Sequence, residues 1–381
     1  MSSSAASLPF DLLARIIEAL PSAADRAAAS AVCLHWRWVC QSVEPPLLPC
    51  PLLPSPEEGR SRYVRVHGGL WTCVPEVPGM AGARFLGSPS GGLFPVALRQ
   101  PAPSGYARLA INGEDRGGLP DRLRLPDDNQ NRGFCLKVVV GGPIYFGALI
   151  SSRESQIAFW NSLGDDWWQP PVASRGQLAR WRAISPADPG EDILPDGDGN
   201  LFYVLTKSEA LVVFEAEVRE DGALTVRQDW LIGARRRPDG APGIASLYLV
   251  KAGADLLMVR RPTGPVEGGV TFQVYRFQPD VDVFPPSASW QKQAELGGWL
   301  LFVGRGCSVA VATHNGKAGF IYFLDDCKMA DMAPGGPPQH FPCHDTGRVR
   351  YDRQGEEEND LERVLPRQQC PSSSPWIWFE R

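Results

Sequence analysis

Residues able to ligate a soft metal gather at one place in this 381-residue chain: His340, Cys343 and His344, with Cys327 upstream. A structural zinc site closes on four nitrogen or sulfur ligands in tetrahedral geometry. Only three of these are local, and the run Pro334-Gly335-Gly336-Pro337-Pro338 before them reads as a loop. No metal is expected there. Asp196, Asp198 and Asn200 imitate the opening of a calcium loop, but its sixth position would be Leu201 where glycine is needed, and its twelfth Lys207 where glutamate is needed. A turn between strands is the better reading. Asp165-Asp166 stands beside Trp167-Trp168. Adjacent carboxylates on a strand point to opposite faces, so they make no acid/base pair. His35, between Leu34 and Trp36, reads as a surface or interface residue. The chain holds no G-x-S-x-G elbow, Walker loop, H-E-x-x-H or complete G-x-G-x-x-G. No catalytic residue and no cofactor is expected, and the chain is not expected to be an enzyme.

With chemistry set aside, the most informative residues are apolar. Leu12, Leu13, Ile16, Ile17 and Leu20 recur at the steps of one helix face. Leu8-Pro9 opens that helix and Leu20-Pro21 closes it, since proline suits a helix start and cannot continue one. Ser22 with Asp25 reads as a capping pair for a second helix through Ala27–Ala31, and Val32, Cys33, Trp36, Trp38 and Val39 follow. Three short helices carry more apolar surface than so small a unit can bury within itself.

The ordered series Leu8-Pro9, Leu12-Leu13, Ile16, Leu20-Pro21, Val32-Cys33 and Trp36-Arg37 resembles the F-box. That resemblance implies docking on the Skp-type adaptor of a cullin-RING ubiquitin ligase. Leu8, Pro9, Leu12, Leu13, Ile16, Leu20, Pro21, Val32 and Trp36 would make the contact.

Composition limits the setting. The chain is 43% hydrophobic and 21% charged with a formal net charge of −5. Such a chain has no global attraction to nucleic acid or to an anionic membrane. The cluster Arg235-Arg236-Arg237, followed by Pro238-Asp239-Gly240, reads as a solvated loop. The nine cysteines are odd in number and form no C-x-x-C pair, and no Asn-x-Ser/Thr acceptor occurs. A reducing compartment, cytoplasm or nucleus, is the expectation. Asp11 and Arg15 interrupt the first apolar run, so no signal peptide is expected.

From residue 45 the chain changes character. Six prolines fall at 45, 46, 49, 51, 54 and 56. The stretch reads equally as a stiff connector or as a loop leading into a first strand. Beyond it come short runs rich in Val, Tyr, Phe, Trp and Leu, among them 63–66, 93–98, 136–140, 201–206, 211–216, 246–250, 256–260, 272–277, 300–303 and 320–324. Gly199-Asn200, Asp221-Gly222, Gly253-Ala254 and Asn315-Gly316 separate them as hairpin turns. Many hairpins and few amphipathic helices point to a β-propeller or a large sandwich. Grouping at blade pitch favours the propeller. The segment Trp376-Ile377-Trp378-Phe379 would serve as a closing strand paired with the first blade, or as a tail packed on the surface.

Residues 247–260, 272–277, Trp290, 296–304, 321–326 and 376–379 together resemble the plant F-box-associated, kelch-like β-propeller domain of unknown function. The expected architecture is therefore α+β and multidomain. A three-helix F-box at 5–44 leads through a Pro-rich connector at 45–62 to an all-β propeller of six or seven blades at 63–381. The resemblance implies the substrate receptor of a Skp–cullin–F-box ligase, with an adaptor, through it a cullin, and a target protein as partners. A propeller that binds and regulates a protein without ubiquitination, and a glycan-binding or hydrolytic propeller, are the alternatives.

Overall fold

The computed structural model describes residues 8–18, 20, 23–43, 49–54, 61–64, 71–73, 84–85, 87, 93–98, 105–110, 115–118, 134–141, 145–151, 156–161, 180–183, 188, 190–197, 199–220, 224–232, 243–262, 270–280, 287–305, 307–313, 319–324, 346–351 and 377–379. Three helices come first: α1 (Phe10–Glu18), α2 (Ala23–Ser30) and α3 (Leu34–Ser42). All that follows among the described residues is strand and turn.

Twenty-four strands, numbered in chain order, form six four-stranded sheets among the described residues. Sheet 1 takes β1 (Cys50–Pro54), β2 (Ser61–Val64) and β3 (Trp71–Cys73), and its remaining strand is β24 (Ile377–Phe379). Sheet 2 is β4 (Arg84–Phe85), β5 (Leu93–Leu98), β6 (Gly105–Ala110) and β7 (Asp115–Gly118). Sheet 3 is β8 (Phe134–Gly141), β9 (Tyr145–Ser151), β10 (Gln156–Asn161) and β11 (Arg180–Ala183). Sheet 4 is β12 (Gly190–Pro195), β13 (Leu201–Thr206), β14 (Leu211–Val218) and β15 (Leu224–Ile232). Sheet 5 is β16 (Ile244–Ala252), β17 (Asp255–Pro262), β18 (Gln273–Asp280) and β19 (Ser287–Lys292). Sheet 6 is β20 (Trp299–Val303), β21 (Val309–Ala312), β22 (Phe320–Phe323) and β23 (Gly347–Arg350). This is propeller architecture, and the strand groupings expected from the sequence fall inside single sheets.

Two features depart from a simple succession of meanders. In sheet 6 the order is β21-β20-β22-β23 and β20 pairs with β22 in parallel, so the chain turns inward before crossing back. In sheet 1 the closing strand is present: Cys50, Pro51 and Leu52 oppose Phe379, Trp378 and Ile377. The stretch 45–62 is accordingly more than a connector, because β1 lies within it and β2 begins there. Leu52 pairs with β24 on one side and with Tyr63 of β2 on the other. Proline lacks one donor but keeps its carbonyl, so Pro51 and Pro54 are accommodated in a ladder.

Two-sided burial explains the unbroken apolar strands. Along β16, Tyr248, Val250 and Ala252 join a cluster with Leu301, Val303, Ile321 and Phe323 of sheet 6. The alternate residues Leu247 and Leu249 join Leu205 and Leu211 of sheet 4. Between sheets 3 and 4, Phe159 meets Phe202 and Phe214 with ring centroids 5.2 and 5.3 Å apart. The seam between sheets 6 and 1 is closed by Trp378. Its ring lies edge-on to Phe302 at 5.0 Å, its indole N–H donates to the Val303 carbonyl at 2.9 Å, and its backbone N–H donates to Cys307 Sγ at 2.9 Å.

Strands β8, β12, β16 and β21 lie beside one another in series, one from each of sheets 3 to 6. One carboxylate links the first three. Asp192 of β12 accepts a 2.5 Å bond from Lys137 Nζ of β8 and a 2.7 Å bond from the Leu249 N–H of β16, besides the N–H of Ile193 at 2.8 Å. Asp192 and Lys137 are both almost wholly shielded from solvent.

Removing one partner of a buried pair leaves the other charge uncompensated, at a cost of about 3–5 kcal/mol. Asp192→Ala should therefore lower the unfolding free energy by about that amount in urea titration. Tyr203, pushed up to about 12 by burial and by its neighbour Asp196, supplies a pH test. A raised folded value favours the protonated phenol. Its stability contribution is complete below the ordinary phenol range and is lost as pH climbs through about 12. In an absorbance titration of tyrosinate, Tyr203→Phe should remove a late-ionising component.

Candidate functional site

The helical unit makes a core from its own residues. Leu13 and Ile17, one turn apart on α1, are fully buried with Val39 of α3 and Ala29 of α2. Leu8, Leu20 and Trp36 lie half-buried against them. The α1 helix begins on Pro9, whose carbonyl accepts the Leu13 N–H at 3.0 Å. Asp11 in the first turn suits the positive end of the helix dipole.

Arg26 ties the three helices together. It is 8% exposed, and its guanidinium donates to the carbonyl of Ile17 near the end of α1 at 3.1 Å and to the carbonyl of Val43 just past α3. Two helix C-termini, each with carbonyls lacking an intrahelical partner, are thus capped by one cation. The carbonyl of Arg26 in turn accepts from Cys40 Sγ at 3.7 Å.

This internal core leaves a second apolar surface in solvent. Leu12 is 50% exposed, Ile16 39% and Val32 58%. Pro9 is exposed as well. Leu13, also among the residues expected to face a partner, is buried in the unit, because the stripe it shares with Ile17 is the one that meets α3. Pro21 lies outside the described residues. Three further exposed residues were not anticipated: Phe10 at 38%, Leu34 at 78% and Trp38 at 55%. Leu34 and Trp38 are one turn apart on α3, and the Trp38 ring stands 5.0 Å from Phe10. Their four-residue spacing on α3 is a sequence signal, but it lies outside the F-box-like positions. His35 is held by a 3.2 Å contact between Nε2 and the Leu8 carbonyl.

The chemistry considered on the β region resolves differently. Asp196 forms an ion pair with Lys251 and accepts from the Tyr203 hydroxyl at 3.3 Å. It belongs to the β12–β13 turn, where Gly197 takes a φ of 57°. The pairs 165–166 and 167–168, and Cys327, His340, Cys343 and His344, lie outside the described residues. Among the described residues no group of three or more His, Cys, Asp or Glu is arranged to hold a metal. No helix among them is long and apolar enough to cross a membrane.

Hydrogen bonds from a charged donor are worth about 1.5–3 kcal/mol each. Arg26→Met keeps the aliphatic stem and removes both caps. It should destabilise the helical unit by about 3 kcal/mol, read as lost helical protection in hydrogen exchange.

Known proteins supply a comparison for the β region. Two solved structures are similar at low identity. A DUF4784 family protein from Bacteroides caccae is 10% identical with a TM-score of 0.34, over 89% of this chain and 75% of its own. A Bacteroides fragilis protein described as a candidate 6-phosphogluconolactonase is 11% identical with a TM-score of 0.37, over 87% of this chain and 98% of its own. No curated protein matches the chain. The model of one family, the KIB1-4 beta-propeller, matches residues 76–351, which takes in nearly all of the sheets. On that match, which spans sheets 2 to 6, the chain belongs to the KIB1-4 beta-propeller family.

Proposed function

We propose that this protein is the substrate-receptor subunit of a Skp–cullin–F-box ubiquitin ligase. The helices dock on the Skp-type adaptor, and the propeller recruits a target protein. The observation that supports this most is the division of labour within the helices. Leu13, Ile17 and Val39 satisfy the unit's own packing, while Leu12, Ile16 and Val32 remain in solvent. An exposed apolar patch of this kind marks an interaction surface. It coincides with the motif positions that resemble the F-box.

On this reading the mechanism is tethering. Burying a leucine or isoleucine side chain contributes about 1.5–3 kcal/mol, so a few anchors suffice to hold the adaptor. The propeller then raises the effective concentration of target lysines near the charged ubiquitin-conjugating enzyme. Bond formation belongs to other subunits, so no catalytic residue or cofactor is assigned to this chain. The kelch-like character of the propeller, a plant source and residence in cytoplasm or nucleus belong to the same proposal.

The test uses the solvent-facing pair. Leu12→Asp with Ile16→Asp leaves the internal helical core untouched, so the full chain should stay folded by circular dichroism and lose adaptor in co-purification. Undiminished adaptor recovery with that double variant would refute the docking role.

A further inference from the structure

Lysine is among the commonest residues of soluble proteins, yet this chain holds 32 arginines and only six lysines: Lys137, Lys207, Lys251, Lys292, Lys317 and Lys328. None precedes residue 137, so the helical unit and sheets 1 and 2 contain no lysine. Packing explains part of this preference. Arg26 needs a fork of donors to cap two helix ends, which an ammonium cannot supply. Other arginines carry no such demand. Arg227 pairs with Glu215 at 2.6 Å and Arg276 with Asp255 at 3.6 Å, both where the side chains reach solvent. Arg219 is exposed just past β14. Surface pairs of this kind are weak whichever cation makes them, so lysine would serve there as well.

What still separates the two cations is reactivity. A lysine amine that loses its proton is a nucleophile, whereas a guanidinium stays charged. In ubiquitin transfer the neutral amine attacks the carbonyl carbon of the conjugating enzyme's thioester. A C–N isopeptide bond forms, the C–S bond breaks, and the thiol departs with the proton that the amine gives up. Tethering raises the effective concentration of every amine in the complex, and the receptor's own are held there for as long as it is docked.

The lysines that remain differ in access. Lys137 is almost wholly shielded, with its Nζ 2.5 Å from Asp192. Lys251 is engaged by Asp196. Lys207 on the β13–β14 turn and Lys292 at the end of β19 are exposed. Lys317 and Lys328 lie outside the described residues.

We propose that this receptor escapes the ubiquitin its own ligase transfers, because arginine takes the surface places where lysine would be an acceptor. Self-modification of the described residues is left to Lys207 and Lys292. This rests on the receptor reading given above.

The test assembles the full chain with Skp-type adaptor, cullin and RING subunit, adds ubiquitin-charged conjugating enzyme and no target, and maps ubiquitin remnants by mass spectrometry. Adaptor co-purification is read first, and its failure would refute the receptor reading and this proposal with it. In the assembled complex, unanchored ubiquitin chains report that the ligase is active. Most of the wild-type chain should then stay unmodified, with remnants at Lys207 and Lys292 and none at Lys137. Arg219→Lys with Arg227→Lys keeps both charges, doubles the exposed acceptors among the described residues and should raise self-modification about twofold. Lys207→Arg with Lys292→Arg should remove all modification from the described residues. A measurement on the chain alone checks access without the adaptor: an acetylating succinimidyl ester should label Lys207 and Lys292 about tenfold faster than Lys137, which reacts only through local opening. An active complex that modifies Lys137 or ignores the two added lysines, or equal labelling of all three, overturns this proposal and leaves the receptor reading standing.

Discussion

A single carboxylate organises the centre of the described β region. Asp192 receives the ammonium of Lys137 from one neighbouring sheet and the backbone N–H of Leu249 from the other. A charge in so dry a place is tolerated only when its lone pairs are filled with good geometry. That requirement works in reverse as a constraint on assembly. Slipping β16 by one residue would withdraw the Leu249 N–H and turn every alternate side chain to the wrong face. Apolar contacts are forgiving of small displacements, whereas this bond is not. The tie thus selects the one alignment of three sheets in which the leucines of β16 and β17 interleave with both neighbours.

That alignment explains how much of the fold was legible in the amino-acid sequence. Strands buried on both faces are apolar without interruption, as in Leu247–Val250 and Leu256–Val259, and these stood out. So did the closing strand at 377–379. Several strands carry too little hydrophobic signal to stand out, and in some of them another demand outweighs hydrophobicity. β12 reads Gly-Glu-Asp-Ile-Leu-Pro because it must carry the central carboxylate. β19 carries Ser287, Ser289, Gln291 and Lys292, and β7 is Asp-Arg-Gly-Gly. β1 was hidden by its prolines. The exchanged order of sheet 6 was beyond reach for another reason. A hairpin followed by a strand looks the same in sequence whether the third strand pairs with the second or the first.

The helical unit shows a different limit. Periodicity located the amphipathic stripe on α1 but could not divide it between internal packing and outward display. Leu12 and Leu13 are neighbours in sequence, yet one is half in solvent and the other wholly enclosed. Only the placement of α3, secured by Arg26 across two helix ends, decides between them. The same placement brings Trp38 against Phe10, a contact between helices that no single-helix pattern contains. Arg26 itself was invisible, since nothing in an alanine-rich segment signals that its one arginine will cap two other helices.

The pairing of β1 with β24 imposes an order of events during synthesis. On a ribosome the helical unit can form from contacts a few dozen residues apart as soon as it emerges, whereas β1 must wait about 300 residues for its second neighbour. Throughout that interval its hydrogen-bonding edge is open to any passing strand. Translation that stops just short of Ile377 would release a chain with sound helices and an unsealed ring. Such a product is a natural substrate for chaperones, and the loss of β24 would damage it far more than the three residues of that strand suggest.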